Sequence, residues 1–370
     1  MIEETYYNNK LMILMLTIPV TIVAKIFQAT ALPDKYFYDS SRMLSMLNNT
    51  GTMTAWGDGY KVVVDVFSKF NIFGFDTLTD WAIFLATIFS IILIIMFSRI
   101  DNPDTFQSIF LFASIFLLNV YVFNISKEII QFSIFFLMYL IVIQNKLNTT
   151  MKVVLCFLIF YWESTFFRTY YLFMGALFVI VYFILRWIQN LNKQVNGKIL
   201  FSIFIIIFLS VFAMIFALQF VSYDDYMELI SVSETHTNEG ANTAITNLIE
   251  INGNIFLFMV NYVINAVRMM FPVELLTKGV FCIPFAFYQV FILFYLIRSI
   301  RGVNKFTSSI DIISIAIMCG YLLGSFTFEP DFGSFVRHEA ATFPILHVFA
   351  LNKSNYLKKS EEDDYEATYI

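Results

Sequence analysis

Runs of about twenty mostly apolar residues recur along this chain, and that is the length a helix needs to cross the hydrocarbon of a bilayer. They lie near residues 11–31, 80–98, 106–125, 128–145, 153–166, 169–187, 199–220, 280–297, 310–328 and 335–351. The pattern predicts an all-α polytopic membrane protein with about ten transmembrane helices. Composition agrees. The 370 residues are 59% hydrophobic and 14% charged, where a soluble domain carries roughly 25% charged residues. A soluble protein this apolar could not keep its surface wet. The net charge of -5 with no basic cluster argues against nucleic acid as a partner. Cys156, Cys282 and Cys319 lie in apolar runs without Cys-x-x-Cys spacing and read as small core residues. The first apolar run begins at Leu11 with no small-residue cleavage site behind it, so a retained first helix is expected.

The distribution of Lys and Arg sets the expected orientation. Lys10, Arg99, Lys146, Lys152, Arg186, Lys193, Lys198, Arg298, Arg301, Lys305, Lys353, Lys358 and Lys359 fall in segments assigned to the cytoplasm. The long loops 32–79 and 221–254 then lie outside. The second has no Lys or Arg but carries Asp224, Asp225, Glu228, Glu234, Glu239 and Glu250. Segment 255–271 is apolar but interrupted by Asn261, Asn265 and Arg268, and a full crossing there would put Arg298, Arg301 and Lys305 outside. A re-entrant or broken helix resolves the conflict, since non-helical backbone is tolerated at that depth where it lines a cavity. The expected organisation is one integral membrane domain, 1–352, with a cytoplasmic tail, 353–370, and both termini cytoplasmic. No internal repeat is visible, which weakens a transporter built from inverted halves.

On this map the unusual charges gather at the outer ends of the spans. Lys127 and Glu128 sit in one outer turn, Glu163 and Arg168 in another, and Arg268 in the expected re-entrant segment. Asp331, Arg337, His338 and Glu339 sit in the run from Phe328 to Pro344. A charge within a span costs about 2.5–3.5 kcal/mol on insertion scales, so such residues usually face a polar cavity and serve function. Plainer roles are also open. Lys127 and Glu128 can form a turn pair that snorkels to water, Arg168 can anchor in an aromatic belt, and Arg337 can simply pair with Glu339 or Asp331. Cations at the outer membrane edge suit a polyprenyl pyrophosphate, whose anionic head lies at headgroup level and which Arg binds bidentately. If Ser334 opens the last helix, its amides would add an anion site. Loop 32–79 mixes Asp34, Tyr36, Tyr38, Asp39, Arg42, Trp56, Asp58, Tyr60 and Asp65. That mixture suits a sugar, or an ordinary amphipathic loop on the membrane. No nucleotide or metal motif is present. His236, His338 and His347 are too scattered for a zinc cluster, and His347 reads as a core residue.

These residues carry a resemblance. Tyr36-Phe37-Tyr38-Asp39-Ser40 after the first span, Ser126-Lys127-Glu128, Arg168-Thr169-Tyr170-Tyr171 and Asp331-Phe332-Gly333-Ser334-Phe335-Val336-Arg337-His338-Glu339 resemble the Wzy-type polysaccharide polymerases. The likeness is to the EpsG-like branch of capsule, exopolysaccharide and O-antigen biosynthesis, and it extends over most of the chain as a pattern of spans. The family's large central outer loop is represented only by 221–254. The resemblance implies a GT-C-like glycosyltransferase architecture in a bacterial plasma membrane. It also implies polymerisation of undecaprenyl-pyrophosphate-linked oligosaccharide repeats onto a lipid-linked acceptor in the outer leaflet. Partners would be that lipid-linked glycan, membrane lipid, and flippase and chain-length regulator proteins; the scheme calls for no cofactor or metal. Arg168, Arg268 and Arg337, with Lys127, are then expected to bind pyrophosphate. His338 and Glu339 are the first candidates for the base, with Glu128 and Asp39 as alternates. A polyprenyl-phosphate-dependent glycosyltransferase, a glycan ligase and a lipid-linked oligosaccharide flippase are the competing readings.

Overall fold

The computed structural model describes residues 2–51, 54–55, 58–191, 195–223, 226–227, 229–230, 243–305, 308–329 and 331–351. Among them the fold is helical, with one isolated antiparallel bridge between Ala244 and Asp331. Seven helical stretches there are long and apolar enough to cross a membrane: Asn9–Thr30, Leu78–Ser98, Thr105–Val122, Tyr171–Asn190, Gly197–Val221, Val280–Arg301 and Ser309–Phe328. The helix Gly197–Val221 makes the point most directly. Its Phe201, Phe204, Leu209, Phe216 and Phe220 are all exposed, an apolar surface suited to lipid rather than water. The chain is a polytopic membrane protein.

Three expected spans lie in helices outside those seven. Segment 128–145 falls in Lys127–Val142, whose 16 residues extend about 24 Å, short of the roughly 30 Å of hydrocarbon. Segment 153–166 lies in the 18-residue helix Thr149–Phe166. Segment 335–351 is two helices, Phe332–Ala341 and Phe343–Ala350. Pro344 explains the division: it lacks an N–H for the carbonyl four residues back, and it fits the first turn of a new helix.

Two other expectations change. Residues 255–271 form one unbroken helix, Ile255–Met270, rather than a broken one. Its polar residues do not interrupt it; Asn261, Asn265 and Arg268 share one face and bond to the neighbouring chain at 246–249. Loop 32–79 is largely helical, with a short 3-10 turn at Asp34–Phe37 and helices Tyr38–Leu47 and Asp58–Phe70. Asp224, Asp225, Glu228, Glu234, His236 and Glu239 of the acidic stretch 221–254 lie outside the described residues, as do Trp56 and the tail 353–370.

The chain divides into two compact bodies. The first holds the chain up to Tyr139 with Glu163–Arg168 and Arg337–His347; the second holds Leu140–Trp162, Thr169–Val336 and the chain from Val348. In the first body, the N-terminal helix Ile2–Thr30 packs on Leu78–Ser98 and Thr105–Leu117. Buried polar groups tie them: Thr21 and Ser90 share a 2.9 Å hydrogen bond, and Asn119 donates to Thr21 at 3.1 Å. A capping box of Asp104 and Gln107 starts Thr105–Leu117, which runs into a π-helical turn at Leu118–Val122. Lys25 Nζ donates to the Phe123 carbonyl just beyond it at 2.8 Å and to Asn124 Oδ1 at 2.9 Å.

In the second body, Ser309–Phe328 packs tightly along Tyr171–Asn190. Gly320 allows the approach, because a Cβ there would come within 2.6 Å of the Phe178 amide nitrogen.

Candidate active site

The first body brings together charged residues from four separate stretches of chain. Each is placed by a simple local device. Ser126 Oγ accepts from the Ile129 amide at 3.3 Å and so caps Lys127–Val142, which puts Lys127 and Glu128 in its first turn. Asp39 lies in the first turn of Tyr38–Leu47. Tyr60, Val63 and Phe67 form the buried stripe of Asp58–Phe70, while Lys69 and Asp65 pair on its exposed face. Arg168 follows Thr149–Phe166, and Arg337, His338 and Glu339 lie on Phe332–Ala341.

Lys127 is the hub. Its ammonium lies 3.3 Å from Asp39 Oδ2, donates to Tyr60 Oη at 3.2 Å, and sits 4.3 Å from the Tyr60 ring centre. Tyr60 Oη in turn donates to Asp39 Oδ1 at 2.8 Å. Burial holds Lys127 below the ordinary lysine range, and the nearby positive charges of Arg168 and Arg337 push the same way against Asp39 and Glu128. Burial, followed by the Asp39 charge, keeps the Tyr60 phenol protonated above its usual range.

A second pair adjoins this one. His338 Nε2 lies 3.4 Å from Glu128 Oε1, and both side chains are almost wholly buried. Gln131 Nε2 donates to the His338 carbonyl at 3.0 Å, fixing the helix that carries the imidazole. An imidazole oriented by a carboxylate is an arrangement that can take and return a proton. Glu163 and Glu339 belong to the same body and are fully buried. Arg42 is buried too; its guanidinium donates to Tyr38 Oη at 3.2 Å and to the Thr54 carbonyl, and its charge reaches Tyr60.

Seven of the eight residues expected in the site thus share this body: Asp39, Lys127, Glu128, Arg168, Arg337, His338 and Glu339. Arg268 does not. It lies in the second body, where Nε and Nη2 grip Glu274 at 2.5 and 2.9 Å. Its Nη1 donates to the Thr246 carbonyl at 2.6 Å and to Asn265 Oδ1 at 3.1 Å. That guanidinium is committed to holding the fold.

The anion site expected at the last helix is also filled from within. Asp331 accepts from the Ser334 amide and the Ser334 hydroxyl, both at 2.8 Å, so a carboxylate already caps that N-terminus. His347 is a satisfied core residue, stacked on Phe343 and in contact with Tyr139. Among the described residues, no three of His, Cys, Asp and Glu group as metal ligands.

Sequence reasoning placed Tyr60 and Arg42 only in a mixed outer loop and gave Gln131 no role. The signal for Tyr60 was present in the helical spacing of Tyr60, Val63 and Phe67. Gln131 had one as well, standing one turn beyond Lys127 on the same helix. No family model, no curated protein and no solved structure matches the chain.

Proposed function

We propose that the chain is a polysaccharide polymerase. It transfers undecaprenyl-pyrophosphate-linked oligosaccharide repeats onto a lipid-linked acceptor in the outer leaflet of a bacterial plasma membrane. The observation that supports this reading is the grouping of Lys127, Arg168 and Arg337 in one body, three cations from three stretches of chain, with the charge of both arginines bearing on Lys127. Like charges held together are costly in the empty fold and are relieved by a polyanion such as pyrophosphate.

In the reaction, an acceptor hydroxyl attacks the anomeric carbon of the donor and the bond to the pyrophosphate oxygen breaks. The three cations stabilise the charge that develops on that oxygen, so the leaving group needs no proton. The hydroxyl proton passes to a buried base. His338 oriented by Glu128 is the first candidate, with Asp39 and Glu339 in reserve. Further spans at 128–145, 153–166 and 335–351 would bring the total to about ten, in a GT-C-like arrangement with both termini cytoplasmic.

One observation favours a second reading. Asp39 follows the first span closely and is held by both Tyr60 and Lys127. In a polyprenyl-phosphate-dependent glycosyltransferase an early outer carboxylate of this kind would be the base, and a single sugar would be transferred.

The test is purified protein in nanodiscs with an undecaprenyl-pyrophosphate oligosaccharide repeat, products being resolved on a gel. A ladder of regular spacing that is lost in Arg337→Ala supports polymerisation. A single product that survives Arg337→Ala and is lost in Asp39→Asn moves the assignment to the transferase. No product from any repeat sinks both.

A further inference from the structure

A polar stripe runs along the span Asn9–Thr30 in the first body. Thr17, Thr21, Lys25 and Gln28 recur at helical intervals and so fall on one side of the helix. Thr21 is bonded to Ser90 and Asn119. Lys25 does something less usual. A lysine near the end of a span ordinarily snorkels to water, but this one turns inward. Each of its three N–H donors meets a neutral acceptor: the Phe123 carbonyl at 2.8 Å, Asn124 Oδ1 at 2.9 Å and Gln28 Oε1 at 3.1 Å.

These bonds fall where the backbone leaves regular helix. Beyond the π-helical turn Leu118–Val122, the Asn124 amide bonds back to the Val122 carbonyl at 2.8 Å, and the Ser126 hydroxyl donates to the same carbonyl at 3.0 Å. Lys25 takes the Phe123 carbonyl, and Asn124 Oδ1 accepts from Lys25 and also from Gln28, the latter at 3.0 Å. Lys127 opens the next helix directly after this turn. The same end of the span also leads to Asp39. Ala24, Leu32 and Val120 form a buried cluster with Phe37 and Tyr121 packed against it, and the Phe37 and Tyr121 rings stack at 6.4 Å. Asp39 follows Phe37 closely in the chain. One helix end therefore holds both segments whose side chains meet as Asp39 and Lys127, 3.3 Å apart.

We propose that Lys25 is a positioning residue for the hub: by gripping the turn at Phe123 and Asn124, it sets where the Lys127 ammonium stands relative to Asp39. Its consequence for transfer rests on the polymerase reading above; the coupling of the two lysines does not. The charged groups that bear on Lys127 are Arg168, Asp39, Glu128 and Arg337, with the Tyr60 hydroxyl in contact. Asp39 is the carboxylate that touches the ammonium, while Glu128 is engaged by His338 at 3.4 Å. A turn released from Lys25 therefore weakens first the contact that favours the charged lysine.

The experiment titrates Lys127 directly. The full chain in nanodiscs is labelled with trace acetic anhydride across a pH series and read by mass spectrometry, with the exposed Lys69 as internal control. In Lys25→Met the Lys127 midpoint should fall by about one pH unit, while that of Lys69 stays. Lys25→Gln keeps N–H donors on a shorter, uncharged side chain. Its midpoint should lie between the other two, and it carries the test where Lys25→Met does not fold. Transfer of a lipid-linked repeat should drop about tenfold in Lys25→Met, and no further when the change is made in Lys127→Ala, since the two act as one unit. The proposal is overturned if Lys127 titrates alike in the parent and the folded Lys25 variant, whatever the melting temperature does; Lys25 would then stabilise the turn and nothing more. A shifted midpoint in a chain that makes no product would remove the polymerase and leave the positioning role. Product from the parent with an unshifted midpoint would remove the positioning role alone.

Discussion

Lys127 and Arg268 are both partly buried cations that the sequence presents in the same light, and the fold treats them in opposite ways. Arg268 is fully engaged. Its partner Glu274 is six residues away, the grip is bidentate, and the remaining nitrogen holds the backbone of Thr246. Lys127 is held by groups far off in sequence, at 3.2 and 3.3 Å, with Arg168 and Arg337 working against its charge. A cation with a close local partner spends its charge on the fold. One assembled with other cations from distant segments is, on the proposed function, the one that meets a polyanion.

The largest effect should separate the two at once. Lys127→Ala should reduce transfer of a lipid-linked repeat by about 10²–10³-fold, as for removal of a group that stabilises a developing anion, with little change in the melting curve. Arg268→Met should do the reverse. It should cost about 1–3 kcal/mol of stability, because Glu274, Asn265 and the Thr246 carbonyl all lose a donor, and leave transfer per folded molecule near the parent value. If Arg268→Met instead abolished transfer while melting normally, the contrast would be broken and Arg268 would rejoin the pyrophosphate ligands.

Legibility followed the range of the interactions involved. Apolar runs are local, so the helices between Leu78 and Val122, and those at Tyr171–Asn190, Gly197–Val221 and Ser309–Phe328, could be read from the sequence. The charges of the first body stood out because each is unusual in its own segment. What joins Asp39 to Lys127, or Glu128 to His338, is tertiary packing, and no spacing encodes it. The pairing of Arg268 has a local reason that could have been weighed. Pro272 stops the helix, and the turn Val273–Thr277 carries Glu274 back to the guanidinium. The helices of segment 32–79 were not read because they are short and amphipathic, with a period visible only once Tyr60, Val63 and Phe67 are counted as one face.

Acidity sharpens the same comparison. The hydrogen bond from Arg268, ahead of the opposing effect of burial, holds the Glu274 carboxyl below its ordinary value of 4.5. The stability it contributes is therefore complete above that value and is lost as pH falls through the lowered one. Melting curves of the parent should show this acid-side loss, and Arg268→Met should show less of it.

Lys127 behaves differently. Its folded-state value is lowered chiefly by burial, so over the interval up to the ordinary lysine value of 10.5 the folded state binds fewer protons than the unfolded. Stability then rises with pH across that interval, while any activity that needs the ammonium falls. Transfer should show an alkaline limb below the ordinary lysine range, and Lys127→Arg should move that limb upward because a guanidinium keeps its charge. An alkaline limb identical in parent and Lys127→Arg would show that another group sets it.

The smallest effect concerns Tyr60, which connects the hub to Asp39. Tyr60→Phe keeps the ring under the Lys127 ammonium and removes the donor to Asp39 Oδ1 and the acceptor for Lys127. The loss amounts to about 0.5–1.5 kcal/mol for each hydrogen bond, so transfer should fall roughly three- to tenfold for one such bond lost. The pH profile distinguishes a part in the site from a part in packing. Without the phenol donating to Asp39 Oδ1, that carboxylate is left to its existing pair with Lys127, the ammonium is favoured, and the alkaline limb should shift upward. A purely structural tyrosine would lower the melting temperature and leave that limb where it was. The cation–π contact predicts a further distinction. Tyr60→Leu removes ring and hydroxyl together and should weaken transfer more than Tyr60→Phe does. Equal losses in the two variants would assign the whole effect to the hydroxyl and leave Lys127 held by its carboxylate alone.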